Sequence, residues 1–355
     1  MKFTKYAVYL TAFLLMASAS PLVQKSAVIR PITAAAEEAS DVIAKGTLNE
    51  SISWQLDSDY TLTITGSGDM SGITNGFSSY AKKIKNVIIR NTDSTHTITA
   101  VGSNLFSGCT ALEEITLPDT ITEIGSNAFR GCSKLSVCNF PSGLKKIRTR
   151  AFEGTALTEL DLPGCELDER SFFYCTSLKT LTIGDGTEVI PEECFRECTS
   201  LESVYFSDSV KEIKSGGYDS NGSFYKCSSL KKVSIGKNIE KIHNYAFRTL
   251  GEGLEVTFRE GVTAIPSKAF EERTELTKVV LPESLTTVNN NAFRGCSNLS
   301  VCNFPSGITK IGSRAFERTA FTELDLPGCE LDERSFFYCT SLKTLTIGDG
   351  TEVIP

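Results

Sequence analysis

Eleven phenylalanines stand in a near-regular series: Phe106, Phe129, Phe152, Phe172, Phe195, Phe224, Phe247, Phe270, Phe293, Phe316 and Phe336. The steps between them are 23, 23, 20, 23, 29, 23, 23, 23, 23 and 20 residues. A small residue precedes the Phe and a Cys often follows three positions later, most clearly in Asn127-Ala-Phe-Arg-Gly-Cys132. A second pattern, L-x-x-I-x-L-P, reads Leu112-Glu-Glu-Ile-Thr-Leu-Pro118, Leu157-Thr-Glu-Leu-Asp-Leu-Pro163 and Leu276-Thr-Lys-Val-Val-Leu-Pro282. A third apolar pair follows, as in Ile121 and Ile124 or Ile308 and Ile311. A fixed period of this size marks a repeat array in which each unit packs on its neighbours.

Each unit reads as one coil of a mainly β repeat solenoid. Ile115 and Leu117 alternate with polar Glu114 and Thr116, the period-2 mark of a short strand with one buried face. Pro118 ends the strand because it cannot donate to a ladder. Ile121-x-x-Ile124 then returns along the other side, Gly125 allows the bend, and the Phe inserts its ring among its neighbours. No coil of about 23 residues buries its apolar face alone, so stacking supplies the core. The array spans 84–355, with Ile84-Lys-Asn-Val-Ile-Ile-Arg90 as its first full strand. Residues 37–83 break the period; alternating Thr61-Leu-Thr-Ile-Thr65 and the turn Gly66-Ser67-Gly68 read as a β-rich N-terminal cap, with Trp54 as a packing anchor.

A larger duplication lies over the short one. Residues 127–191 and 291–355 match at an offset of 164 and differ at seven positions: Lys134/Asn298, Leu144/Ile308, Lys145/Thr309, Arg148/Gly312, Thr149/Ser313, Gly154/Arg318 and Leu157/Phe321. A site built from one copy is therefore expected twice, which suits multivalent binding better than a single catalytic centre. Pro191 is followed by the next coil's Glu-Glu-Cys-Phe195, whereas the array stops mid-coil at Pro355, so a truncated chain is expected.

Lys2 and Lys5 precede a short apolar stretch, Ala7 to Ala17, and the small residues Ala17, Ser18 and Ala19. That order is the pattern of a secretory signal. It places a signal peptide at 1–19, with Ala36 as an alternative end, and a secreted or cell-surface chain. Eleven apolar residues are too few for a membrane span, so none is expected in the mature chain. The net charge of −7 argues against nucleic-acid partners, which require a basic face.

The Leu-x-x-Ile-x-Leu-Pro and Ala-Phe-x-Gly-Cys-x-x-Leu pieces resemble the BspA-like leucine-rich repeats of bacterial surface proteins, over about residues 84–355. The head from Gly46 through Trp54, Leu62-Thr-Ile-Thr-Gly66 and Gly68-Asp-Met70 is similar to the segment before such repeats in exported proteins of gut bacteria. The resemblance implies a secreted or surface-displayed adhesion scaffold, sometimes binding host matrix proteins, and supplies no catalytic residues. The chain departs from the pattern in its long coil at 201–230.

Twelve cysteines in an exported chain invite a disulfide reading. Their positions favour buried thiols over ladder bridges or metal. Cys109, Cys132, Cys175, Cys198, Cys227, Cys296 and Cys339 each fall three residues after a ladder Phe; Cys138 and Cys302 replace the buried Ile of the strand; Cys194 takes the small position. Cys165 and Cys329 sit at a bend, and no Cys-x-x-Cys pair exists. Leu117-Pro-Asp-Thr120 imitates a sortase signal without its Gly or apolar tail, and Ser228-Ser-Leu-Lys231 imitates S-x-x-K without its partner motifs. Asp185-Gly-Thr-Glu188 is too short for a calcium cage. His96 and His243 have no spacing partner and read as isolated surface residues. No catalytic, cofactor-binding or metal-ligating set emerges, so an enzyme is not expected.

Binding is the better expectation. The outward strand positions include Glu114, Glu159, Asp161, Lys179, Tyr205, Lys232, Lys278, Glu323, Asp325 and Lys343, so alternate coils carry acidic and basic stripes. That face reads as a solvated surface or as a complement for a protein or glycan partner. Tyr218 heads the one long insertion, around Lys214 to Ser223. The expected function is a non-enzymatic scaffold for adhesion or protein or glycan binding. The alternatives are the repeat region of a larger exported enzyme, or a structural surface spacer.

Overall fold

The computed structural model describes residues 41–74, 76–216, 222–351 and 354. The expected signal peptide and Tyr218 lie outside the described residues. Strands β1 (Val42–Asn49) and β2 (Ile52–Asp57) pair antiparallel, and β2 pairs antiparallel with β3 (Thr61–Gly66). From β3 onward every pairing between named strands is parallel, as coil-on-coil stacking requires. β3 pairs with β5 (Asn86–Asn91), β5 with β7 (Glu114–Thr116), and β7 with β9 (Val137–Cys138). This register stacks Leu62, Val87, Ile115 and Cys138 in one inward column. The first coil of the parallel stack therefore starts at Thr61, earlier than the strand at Ile84–Arg90 that the pattern suggested. The alternation was legible there; its parallel partner, 25 residues later, was not.

The returning segments form a second sheet. β4 (Gly68–Asp69), β6 (Ile98–Val101), β8 (Glu123–Ile124) and the strands Lys146–Ile147 and Glu166–Leu167 pair in that order. Ile124, Ile147 and Leu167 are in register and buried. Both sheets continue in segments through the later coils, ending with strands Glu330–Leu331 and Thr344–Ile347. The described residues contain no α-helix.

The third column is aromatic. Twelve rings, from Phe77 to Phe336, stack with neighbouring centroids 5.1–6.0 Å apart and planes within 21°. Phe77 extends the expected series by one. It stacks on Phe106 at 5.6 Å, and its other side receives the edge of Trp54 at 5.5 Å, so Trp54 closes the end of the column as an anchor. From Ala128 onward the small residue before the Phe serves a backbone ladder: Phe106 N–H donates to the Ala128 carbonyl, Phe129 to Ala151, Phe152 to Ser171 and Phe172 to Cys194, at 2.8–3.0 Å.

Coils of unequal length stay in register because they differ away from these columns. In the 20-residue coil the chain approaches its neighbour so closely that a Cβ on Gly164 would lie 1.6 Å from the Asp185 carbonyl. Only glycine fits, and Gly328 repeats the contact with Asp349. In the 29-residue coil, Ser215 and Gly222 form an antiparallel bridge across the neck of the insertion. Ser223 Oγ then donates to the Pro191 carbonyl at 2.8 Å, tying the neck to the preceding coil. Gly125 lacks a left-handed φ, contrary to its expected role in a bend. It is there because a Cβ would meet Ser103 N at 2.6 Å.

All twelve cysteines are free thiols, nine of them buried. Cys138 and Cys302 are less enclosed than expected, at strand ends where the following Asn takes over the ladder. Asn139 accepts from Leu117 N–H at 2.7 Å and donates to its carbonyl at 2.8 Å, and Asn303 does the same for Leu281. A side-chain amide thus stands in for a peptide unit.

Candidate functional site

Nine of the predicted contact residues lie on exposed positions of the outward strand face or immediately before its strands: Glu114, Glu159, Asp161, Lys179, Tyr205, Lys232, Glu323, Asp325 and Lys343. Lys278 is half-exposed. Period 2 puts Glu159 and Asp161 on the same face of strand Glu159–Leu162, while Leu160 and Leu162 are buried. Parallel register then sets Glu159 beside Thr180, Thr180 beside Ser203, Ser203 beside Lys232 and Lys232 beside Glu255. A second row runs Asp161, Thr182, Tyr205 and Ser234. A track of hydroxyls therefore separates Glu159 from Lys232, and from Lys232 onward sign alternates coil by coil through Glu255 and Lys278. Sign also alternates in the row just before the strands, where Lys179, Glu202 and Lys231 are linked in turn through their backbones. Lys278 is partly engaged already, its Nζ 3.8 Å from Glu255. Glu114 lies between Asn86 and the exposed Val137. Glu323 and Asp325 face Thr344 and Thr346, repeating the acidic pair of the first copy.

The turn edge carries a second charged array that the periodicity did not reveal. One residue beyond the ladder phenylalanines stand Arg130, Glu153, Phe173, Arg196 and Tyr225, and later Glu271, Arg294 and Glu317. Arg130 Nε donates to Glu153 at 3.0 Å, and Arg294 to Glu271 at 3.0 Å. The Arg196 guanidinium lies 5.4 Å from the Phe173 ring and 5.3 Å from the Tyr225 ring, sandwiched between them. Glu193, buried beside it, accepts from both Arg170 and Arg196. The signal was present as the residue after each Phe, but its partners lie a full coil away.

Neither histidine is isolated, contrary to expectation. His243 Nε2 lies 2.8 Å from Glu212, one long coil earlier, and this contact holds the Glu212 carboxyl below its usual range. His96 lies 2.8 Å from Asp93 in an exposed turn. On the second sheet, Lys146 pairs with Glu166 at 2.7 Å and Asp168 at 3.4 Å, and the duplicate Lys310 pairs with Glu330 and Asp332 at 2.9 and 3.1 Å. Among the described residues, no group of three or more His, Cys, Asp or Glu is gathered to hold a metal ion. No described helix is long and apolar enough to cross a membrane.

Among solved structures, the chain is similar to a leucine-rich repeat protein from Bacteroides ovatus, at 24% identity over 85% of this chain and 88% of that one, with a TM-score of 0.41. A leucine rich cell surface protein from Faecalibacterium prausnitzii matches at 20% identity over 86% and 95% of the two chains, TM-score 0.34. A pneumococcal vaccine antigen matches at 21% identity over 89% and 84%, TM-score 0.41. No curated protein matched. The profile of the BspA type leucine rich repeat region, in six copies, matches residues 99–222 and 218–343. With more than half its length covered, and with stacked coils carrying the strand, return and phenylalanine columns, the chain belongs to the BspA-type leucine-rich repeat family.

Proposed function

We propose that this chain is an exported, non-catalytic scaffold that binds a partner protein or glycan at the cell surface. The observation that carries the reading is the outward strand face. Parallel register lays Glu159, Thr180, Ser203, Lys232 and Glu255 in one continuous row, with Asp161, Thr182, Tyr205 and Ser234 beside it. A rigid row of polar groups with an exposed aromatic beside it supplies preorganised contacts, and the charges of Glu159, Asp161 and Lys232 set orientation and on-rate. The leader-like segment at 1–19 supports export. The antiparallel strands at 42–57 would act as the cap, and the parallel array from Thr61 onward as the binding surface.

Solid-phase binding of the secreted chain to immobilised extracellular-matrix proteins tests this reading. Binding should weaken at least tenfold in Tyr205→Ala and become less salt-sensitive in Lys232→Ala. Binding that is unaffected by either substitution would remove the strand face from the interface.

A further inference from the structure

Between Arg130 and Tyr174 the turn edge opens into a groove of about 350 Å³. Its floor is the left-handed position two residues beyond each ladder phenylalanine, occupied in three successive coils by Gly108, Gly131 and Gly154, with φ of 74, 71 and 72°. A Cβ on Gly108 would meet nothing within 4 Å, and one on Gly154 would approach only the Gly131 Cα, at 4.0 Å. The floor is thus bare backbone with open space above it. Arg130 and Glu153 line the groove, and Phe173 and Tyr174 stand in the following coil. The Tyr174 side chain is about half exposed.

The accessible polar group is Arg130, whose side chain is about half exposed and spends Nε on Glu153 Oε1, leaving its terminal N–H groups for a ligand; Glu153 Oε2 is enclosed, 3.4 Å from Arg150. The floor itself is already committed: Gly108, Gly131 and Gly154 donate to the Arg130, Glu153 and Phe173 carbonyls at 2.8–2.9 Å. A peptide therefore finds no free backbone edge on which to add as a strand. Arg130 and Arg150 share the one Glu153 carboxylate, which leaves a single positive charge spread over two partly exposed guanidiniums, so the groove does not select a strongly charged ligand. An exposed aromatic ring, a planar guanidinium donor and a shallow bare floor suit a flat, hydroxyl-rich ring whose C–H face lies on the aromatic and whose hydroxyls accept from Arg130.

The duplicated segment provides an internal comparison. Arg294, Glu317, Phe337 and Tyr338 repeat the groove's walls at the offset of 164. The floor differs, because Glu272 stands where Gly108 does and Arg318 where Gly154 does. The Glu272 carboxylate covers Gly295, reaching within 2.6 Å of where its Cβ would be, and the Arg318 guanidinium lies 5.8 Å from the Tyr338 ring centroid. The second groove is filled, so the expectation of two equal sites does not hold here.

We propose that the groove floored by Gly108, Gly131 and Gly154 binds a neutral pyranose of a glycan, stacked on Tyr174 and hydrogen-bonded by Arg130. This site goes beyond the strand-face reading and is located elsewhere, so either can fail alone. The test titrates the secreted chain with oligosaccharides ending in glucose, galactose, mannose or N-acetylglucosamine, by saturation-transfer NMR and calorimetry, beside an uncharged decapeptide pool. One saccharide class should bind at one site per chain. Gly154→Arg, which copies the arginine tolerated at position 318, should weaken it at least tenfold with an unchanged melting temperature, and Tyr174→Ala should do likewise. The double variant Glu272→Gly/Arg318→Gly should raise the stoichiometry to two. Binding to none of the four sugars would overturn the proposal. So would saccharide binding indifferent to Gly154→Arg, or peptide binding at this groove in place of sugar.

Discussion

The thiol of Cys132 donates to the main-chain carbonyl of Phe106, one coil earlier, at 3.1 Å. The contact recurs from Cys175 to Phe152, Cys198 to Phe172, Cys227 to Phe195, Cys296 to Phe270 and Cys339 to Phe316, at 3.0–3.4 Å. The Phe106 carbonyl also accepts the Cys109 N–H of its own turn at 3.1 Å, so both of its lone pairs are used. The slot thus asks for a small apolar group that is also a weak donor. Where Arg273 occupies it, a guanidinium nitrogen donates to the Phe247 carbonyl instead. Cys132→Val, which keeps the bulk and deletes the donor, should cost about 1 kcal/mol in urea unfolding. No measurable loss would reduce the thiol to a space-filler.

The same burial makes the fold sensitive to alkali. Desolvation pushes the thiols of Cys109, Cys165, Cys194 and Cys296 up to about 12, from 9.0. A pKa raised on folding means that the neutral thiol's contribution is complete below pH 9 and lost as pH rises from 9 towards 12. Above pH 9 each such thiol favours the unfolded chain by about 1.4 kcal/mol per pH unit. The melting temperature should hold from pH 7 to 8.5 and fall steeply from 9.5 to 11. A variant with Val at these four positions should show a shallower fall. Cystines do not titrate, so an unchanged limb in that variant would show that the native thiols are not free.

Much of this architecture was legible because the repeated residues act in columns. A Phe every 23 residues can stack only if each coil is one turn, and the L-x-x-I-x-L-P alternation states which side chains point inward. Phe77 escaped because Tyr80, not Cys, follows it three positions later and it lies in the segment that breaks the regular period. Yet its 29-residue step to Phe106 equals the step from Phe195 to Phe224. The exposed face could be read as a set of residues but not as a surface. The order Glu159, Thr180, Ser203, Lys232 depends on pairing register, which no single strand specifies. The Glu212–His243 contact spans a coil lengthened by its insertion, so no local spacing announces it. The groove required more still. Its three glycines stand in plain Phe-x-Gly contexts, but their left-handed φ and the filled second copy emerge only in the stack.

The phenylalanine column predicts how the array should come apart. Phe152 lies between Phe129 and Phe172 at 5.1 and 5.2 Å and is wholly buried. Truncation to Ala should cost about 3–5 kcal/mol. Because the coils around Phe152 contact mainly their neighbours, the loss should also split calorimetric unfolding into two transitions, one for the coils on each side. Phe77→Ala should leave a single main transition, since it weakens only the Trp54 end of the column. One cooperative transition in Phe152→Ala would show coupling beyond nearest neighbours.

The left-handed positions flanking each phenylalanine offer a route to a more stable chain. Among the described residues, sixteen of the seventeen non-glycine residues with positive φ fall two residues before or two residues after a ladder Phe, nine before and seven after. Thr249 is the β-branched one among them, at φ 58°, and it is exposed. A left-handed L-residue costs roughly 1–2 kcal/mol, and the crowding at a branched Cβ places Thr249 toward the upper end. Glycine removes that strain but adds unfolded-state entropy of roughly 0.5–1 kcal/mol. The difference favours Thr249→Gly, which should stabilise the chain by about 0.5–1 kcal/mol in urea unfolding. Thr249→Val, branched without the hydroxyl, should stay close to the parent. Destabilisation by the glycine would mean that Thr249 makes a native contact worth more than its backbone strain.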